Sequence, residues 1–427
     1  MVNMQSGLRT RAALPMADQR RELPLTLLFL AASVLVAATA GFALGAWLLL
    51  SSSLGLPLPS GGWAPLVQLH GHAQLVGFAG LLVMGIGYRV FPRFRGAAAP
   101  AARLVLLSFA LVAIGLALRS ALLWPDLGAR PLLLLLSGTL EVAGAALYAG
   151  IVLDVLSRGE NEHRPDEALI ALGALWYPVG ATWAFVALLP AILGAPTADA
   201  VATEASVAVL LLGFIASNVA GVSLRVAPAF IAAPPASARV IVAGAGLWYL
   251  GILATTLRVG GAPVALLAGA LLLAFAVGPF RATGARQPLP AHARLTRFAF
   301  RASYAWLVLG VAILAAAWLS PWPIAGATTA ARHALALGFL MSIIFGVGAR
   351  LVPALTGGVA FLAPAVWAAL ALTNAAAALR VASELAGRGD GVTSVALAMS
   401  GLFAYAALAV FAVSAARTVR SALRGFA

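Results

Sequence analysis

Twelve stretches of this chain are apolar over a length that crosses about 30 Å of hydrocarbon. They run over 24–50, 64–91, 100–123, 131–156, 168–194, 199–228, 237–257, 261–281, 297–320, 327–353, 360–381 and 393–416. Hydrocarbon offers backbone amides no water, so each such stretch must satisfy its own amides as a helix. The expected fold is an all-α integral membrane protein of twelve transmembrane helices. Charged residues make up 9 % of the chain, against roughly 25 % in soluble proteins. A single transmembrane domain over 1–427 follows, with a cytoplasmic tail at 1–23.

One sentence pattern recurs in it. H-A-Q-L-V-G-F-A-G-L-L-V-M-G-I-G-Y-R-V-F-P begins at His72, and H-A-L-A-L-G-F-L-M-S-I-I-F-G-V-G-A-R-L-V-P begins at His333, offset by 261 without a gap. A weaker copy carries Gly213, Phe214, Gly221, Arg225 and Pro228, with Ala208 in the histidine position. The copies fall on the second, sixth and tenth runs. The helices therefore divide into three pseudo-repeated four-helix arcs, about 24–156, 168–281 and 297–416. The repeated glycines read as sites of close helix approach. The arginine and proline ending each copy read as an interfacial anchor and a helix stop.

The net charge of +14 would suit nucleic acid, yet all 27 basic residues are Arg and they sort by side. With the N-terminus inside, 21 lie on the cytoplasmic side and six opposite: Arg119, Arg130, Arg258, Arg332, Arg380 and Arg388. That asymmetry is the positive-inside pattern, with both termini cytoplasmic, and it removes the nucleic-acid reading. The first run reads as an anchor, not a cleaved leader. Richness in Ala, Gly and Arg without Lys points to the cytoplasmic membrane of a high-GC bacterium. The chain has no Cys, which excludes disulfides, iron–sulfur clusters and covalent heme attachment. The polar segment 155–167 reads as a solvated linker.

Ionisable groups inside a span are usually functional. His72 and His333 share a depth and a repeat position, so they suit the two axial places of one heme b iron. Iron saturated by two imidazoles moves electrons and does not bind gas. His70 lies about 200° around the helix from His72, facing another crevice. There it reads either as a hydrogen-bond donor or as a ligand of a second metal centre, a further heme or a copper. Glu141 with Tyr148 one heptad on reads as a proton relay lining that crevice. Arg332, with Arg119 or Arg380, is expected to clamp heme propionates.

The segments Leu69–Phe94 and Arg332–Pro353 resemble the NnrS family of twelve-helix bacterial membrane proteins. That resemblance implies nitric oxide metabolism, heme and copper. The layout is also similar to subunit I of the heme–copper oxidase and nitric oxide reductase superfamily, whose low-spin heme hangs from the second and tenth helices. Its copper site needs histidines on the sixth and seventh helices, where this chain has Ala208 and no histidine over 229–260. The implied partners are membrane lipid, a quinone or cytochrome donor, and a small gas such as nitric oxide. Two other classes fit the same residues: a transporter or channel lined by His70, His72 and Glu141, and a gas-reducing enzyme working at His70.

Overall fold

The computed structural model describes residues 16–57, 62–257, 259–283, 289–387 and 391–426. Arg258, Arg388 and the first fifteen residues of the tail fall outside that range. The chain is an all-α, multi-pass membrane protein. Among the described residues, eleven helices are long and apolar enough to cross a membrane. In chain order they are α1 Leu23–Leu54, α2 Trp63–Arg95, α3 Ala102–Leu123, α4 Arg130–Arg158, α5 Pro165–Ile192, α6 Ala200–Ile231 and α7 Ala238–Thr256. After a shorter apolar helix, α8 Ala262–Val277, come α9 Ala291–Leu319, α10 Ala327–Thr356, α11 Ala363–Ala386 and α12 Gly391–Arg424. The expected run 261–281 stops early at α8 because Gly278, at φ +78°, turns the chain out of the helix.

Burial sorts the helices into two layers. In α2, α6 and α10 the apolar window is 83, 78 and 61 % buried, against 28–44 % in the other long helices. These three carry the sequence repeat, and their glycines admit neighbours closely. A Cβ on Gly338 would lie 2.3 Å from Trp306 Cγ of α9. Around this trio the remaining helices pack in sequence: α1 on α3, α3 on α4, α4 on α5, α5 on α7, α7 on α8, α8 on α9, α9 on α11, α11 on α12, and α12 back on α1. The outer layer exposes Leu106, Leu132, Val242, Leu250 and Phe275. Such a surface is at home against lipid chains.

Each central helix contains a π-helical segment that opens at the same repeat position. These are Ala73–Gly80, Val209–Ala216 and Ala334–Leu340, each following directly on His72, Ala208 or His333. A fourth, Ala37–Gly41, interrupts α1. A π turn loosens the local backbone ladder and recurs at functional sites. Side chains bind the carbonyls so loosened. Asn218 Nδ2 donates to Phe214 O at 2.8 Å and Ser303 Oγ to Phe339 O at 2.9 Å.

The other ends of α2, α6 and α10 form a closed cycle. Arg225 of α6 donates to Phe94 O of α2 at 3.3 Å, Arg350 of α10 to Phe230 O of α6 at 2.9 Å, and Arg89 of α2 to Leu355 O of α10 at 3.1 Å. Every acceptor stands five residues beyond the arginine of its own helix. Every acceptor is also the penultimate helical residue, whose carbonyl has no partner within the helix. Arg225 and Arg350 lie over the rings of Phe94 and Phe230, at 5.0 and 4.4 Å. The prolines do not end these helices, contrary to expectation. Pro92, Pro228 and Pro353 lie inside them, and the chain turns left-handed four residues later at Gly96, Ala232 and Gly357. We call this end the arginine face and the opposite end the histidine face.

The segment 155–167 is also not a plain solvated linker. It ends in Asp166 and Glu167, both buried. Arg225 contacts Asp166 at 3.3 Å and Glu167 at 3.0 Å, and Arg95 lies 3.6 Å from Glu167. Carboxylates in the first turn of α5 also sit well on the positive end of its dipole.

Candidate functional site

The two histidines of α2 point into different surroundings, as their spacing requires. His70 is half-buried and faces α1. Its Nδ1 donates to Gly41 O at 2.9 Å, a carbonyl at the end of the α1 π turn. Gly45, one turn further on, leaves room for the ring: a Cβ there would stand 2.6 Å from His70 Cε1. His333 of α10 is half-buried too, and its Nδ1 donates to Thr329 O at 2.8 Å. The groups that act electrostatically on His333 are Arg380, His70 and Arg332, and Arg380 also acts on His70. The start of α10 packs against Val381 of α11, which sets Arg380 near His333, and the link of both to His70 is electrostatic.

A carbonyl oxygen only accepts, so both Nδ1 atoms carry the proton. In a neutral imidazole the lone pair then lies on Nε2. Metal-binding histidines are commonly held this way, by a backbone carbonyl on the nitrogen that does not bind the metal.

His72 is spoken for on the other side of the helix. It is buried, and its Nε2 stands 2.7 Å from Glu141 Oε2 of α4. Arg119 of α3 donates to the same oxygen at 3.5 Å and to Ala184 O of α5 at 3.1 Å. Gly115 clears the space for this carboxylate: a Cβ there would stand 2.7 Å from Glu141 Cγ. Glu141 therefore meets His72, not His70, and the expected pairing of His70 with Glu141 in one crevice is corrected. The expected face shared by Glu141 and Tyr148 leads to Tyr177 of α5, which feels the Glu141 charge and whose ring centroid is 5.9 Å from that of Tyr148.

The three arginines expected at propionates divide. Arg119 is committed to Glu141. Arg332 pairs with Glu204 at the start of α6, both partly exposed. Arg380 acts electrostatically on both His70 and His333, and it contacts Glu384 at 3.0 Å. Among the described residues, no three His, Cys, Asp or Glu side chains gather as a metal-ligand group, so the copper and second-centre expectations at His70 gain no ligand set. Sequence reasoning missed Gly41, Thr329 and Ala184, which act through backbone carbonyls that residue identity does not advertise.

The NnrS protein family's sequence profile matches residues 21–422. The chain belongs to the NnrS family over nearly its whole length. No curated protein matches it.

Proposed function

We propose that this chain is a heme b-binding membrane protein of the NnrS family, with one iron site between α2 and α10 at the histidine face. His70 and His333 would hold the iron, in place of the His72–His333 pair that the repeat register suggests. The observation that carries this reading is the matched clamp on both rings. His70 gives Nδ1 to Gly41 O and His333 gives Nδ1 to Thr329 O, and among the described residues nothing claims either Nε2 lone pair. His72 spends its Nε2 on Glu141. The donor set fits the group: two neutral imidazoles suit a heme iron, and Arg380 would supply positive charge for a propionate. When bound, such a heme cycles one electron between ferric and ferrous iron. The protein's part is to fix both tautomers, keep the site inside the bundle and balance its charge.

In this reading α8 also crosses the membrane. The twelve helices then form three arcs of four, about 24–156, 168–281 and 297–416, in one transmembrane domain. The cyclic arginine contacts and the common onset of the π segments support it. The chain sits in a bacterial inner membrane with both termini cytoplasmic, as the arginine asymmetry argues. Family membership supports a role in nitric oxide response or membrane electron transfer, with a quinone or cytochrome as donor.

The test is an optical and EPR spectrum of the purified protein and its histidine variants. A Soret band with a low-spin EPR signal is expected, lost in His70→Ala and in His333→Ala and kept in His72→Ala. Loss in His72→Ala with retention in His70→Ala would restore the register pairing. A colourless protein would turn the reading to a transporter lined by these polar groups.

A further inference from the structure

The polar groups between α2, α3, α4 and α5 outnumber their partners. Glu141 Oε2 is taken by His72 and Arg119, but among the described residues Glu141 Oε1 has no partner and is buried. The same holds for Ser137 Oγ one turn away on α4, for Tyr148 OH and for Tyr177 OH. All four side chains are 2 % exposed or less. An unpartnered buried hydroxyl or carboxylate oxygen bears the full cost of its lost hydration. Native proteins avoid that by binding internal water at such atoms.

Three of these groups stand along α4 in the order Ser137, Glu141 and Tyr148, and the fourth, Tyr177, packs on Tyr148. Glu141, with His72 and Arg119, lies toward the histidine face. Tyr177 and Tyr148 are next, with ring centroids 5.9 Å apart. Seven residues separate Glu141 from Tyr148, about 10 Å along the helix. Tyr148 OH lies 3.2 Å from the place a Cβ on Gly87 would occupy, so it points at α2. Its ring meets Tyr88 at 5.4 Å, and Tyr88 OH shares a 2.7 Å hydrogen bond with Ser108 Oγ of α3. Tyr88 and Arg89 in turn line a partly open cleft with Thr26, Ala99 and Pro100 toward the arginine face. Its volume of about 40 Å³ admits water.

We propose that this line is a proton-uptake path, from water in the arginine-face cleft to Glu141. Each hydroxyl along it, with the internal water it binds, passes one proton on and receives one from behind. The proton is delivered to Glu141 Oε1, and the His72 ring, hydrogen-bonded to Oε2, serves as the reporter beside it. Arg119 is the fixed positive charge facing the pair from α3. It holds Glu141 in place through Oε2 and leaves Oε1 aimed at the path. The assignment uses no metal or cofactor and stands apart from the heme reading.

The test measures hydrogen exchange at one ring. The chain has five histidines, so full-length protein isotope-labelled only in histidine gives a short NMR spectrum. The His72 signal is identified by its loss in His72→Gln. In wild type the His72 N–H should exchange readily with heavy water. Tyr148→Phe and Tyr177→Phe keep the packed rings and remove only the hydroxyls. Each should slow the His72 exchange by about tenfold or more, a conservative value for a positioned proton-transfer group. Tyr304→Phe removes a buried hydroxyl from α9, against Phe339 of α10, and should leave the rate unchanged. An unchanged rate in either Tyr148→Phe or Tyr177→Phe overturns the path, and so does equal slowing by Tyr304→Phe. The optical spectrum of each variant reports the heme site separately.

Discussion

At the arginine face the three central helices repeat one arrangement, while at the histidine face they diverge. Arg89, Arg225 and Arg350 each reach the penultimate carbonyl of a neighbouring copy. At the other end the matching positions hold His72, Ala208 and His333. One binds Glu141, one is a small apolar side chain, and one clamps its own Thr329 carbonyl. The cause is what each end must satisfy. Every helix C-terminus has orphan carbonyls whatever the protein does, so all three copies keep the same arginine. A chemical site is needed once and not three times, so its residues are free to differ.

The comparison breaks most readily at Arg225. It has two buried carboxylates, Asp166 and Glu167, as ion-pair partners. Arg225→Met should lower stability by about 3 kcal/mol, the low end for a broken buried pair, because Arg95 and Arg164 remain nearby. Thermal unfolding in detergent measures it. The matching Arg350→Met removes a hydrogen bond to Phe230 O and a ring contact, and should lose less. Equal losses would mean the ring is symmetric in energy as well as in geometry.

The spans were legible because the hydrocarbon requirement writes itself into composition. Helix edges were not, since Arg95 and Arg158 continue their helices beyond the apolar run. The repeat was legible as a register, and the π segments honour it. Its arginines, however, looked like interfacial anchors until the i+5 carbonyls were in view. The site was half legible. Spacing alone separated His70 from His72, since two residues on a helix cannot share a face. It could not say which of them meets Glu141 and which meets α1. That choice depends on Gly41 O in the α1 π turn, and no side-chain identity marks a free carbonyl. Glu141 stood out as buried charge, but its partner came from α2 and α3 packing.

A smaller effect sharpens the view of the arginine face. The three copies end in left-handed residues at one register, Gly96 at φ +64°, Ala232 at +50° and Gly357 at +73°. Among the described residues Ala232 is the one non-glycine with positive φ. A Cβ in that conformation costs about 1 kcal/mol. Ala232→Gly should therefore raise the unfolding midpoint by a gain of that size, with the optical spectrum unchanged. A loss of stability would mean that the Ala232 methyl packs usefully and that the middle copy ends on different terms from the other two.

The smallest effect is expected at Arg332, next to the histidine that matters. Sequence adjacency to His333 made it a natural propionate clamp, yet its guanidinium reaches Glu204 across to α6. Both partners are partly exposed, at 31 and 54 % of their side chains. An exposed pair of this kind contributes at most about 1 kcal/mol, and salt screens it further. Arg332→Leu should change stability by less than that and, on the proposed heme reading, leave heme content and midpoint potential as in wild type. Arg380→Leu, in contrast, removes the cation that acts electrostatically on both His70 and His333, and should lower the potential because positive charge favours the more reduced state of an iron. If Arg332→Leu shifts the potential and Arg380→Leu does not, the propionate lies on the α6 side of His333, and the site is centred away from His70.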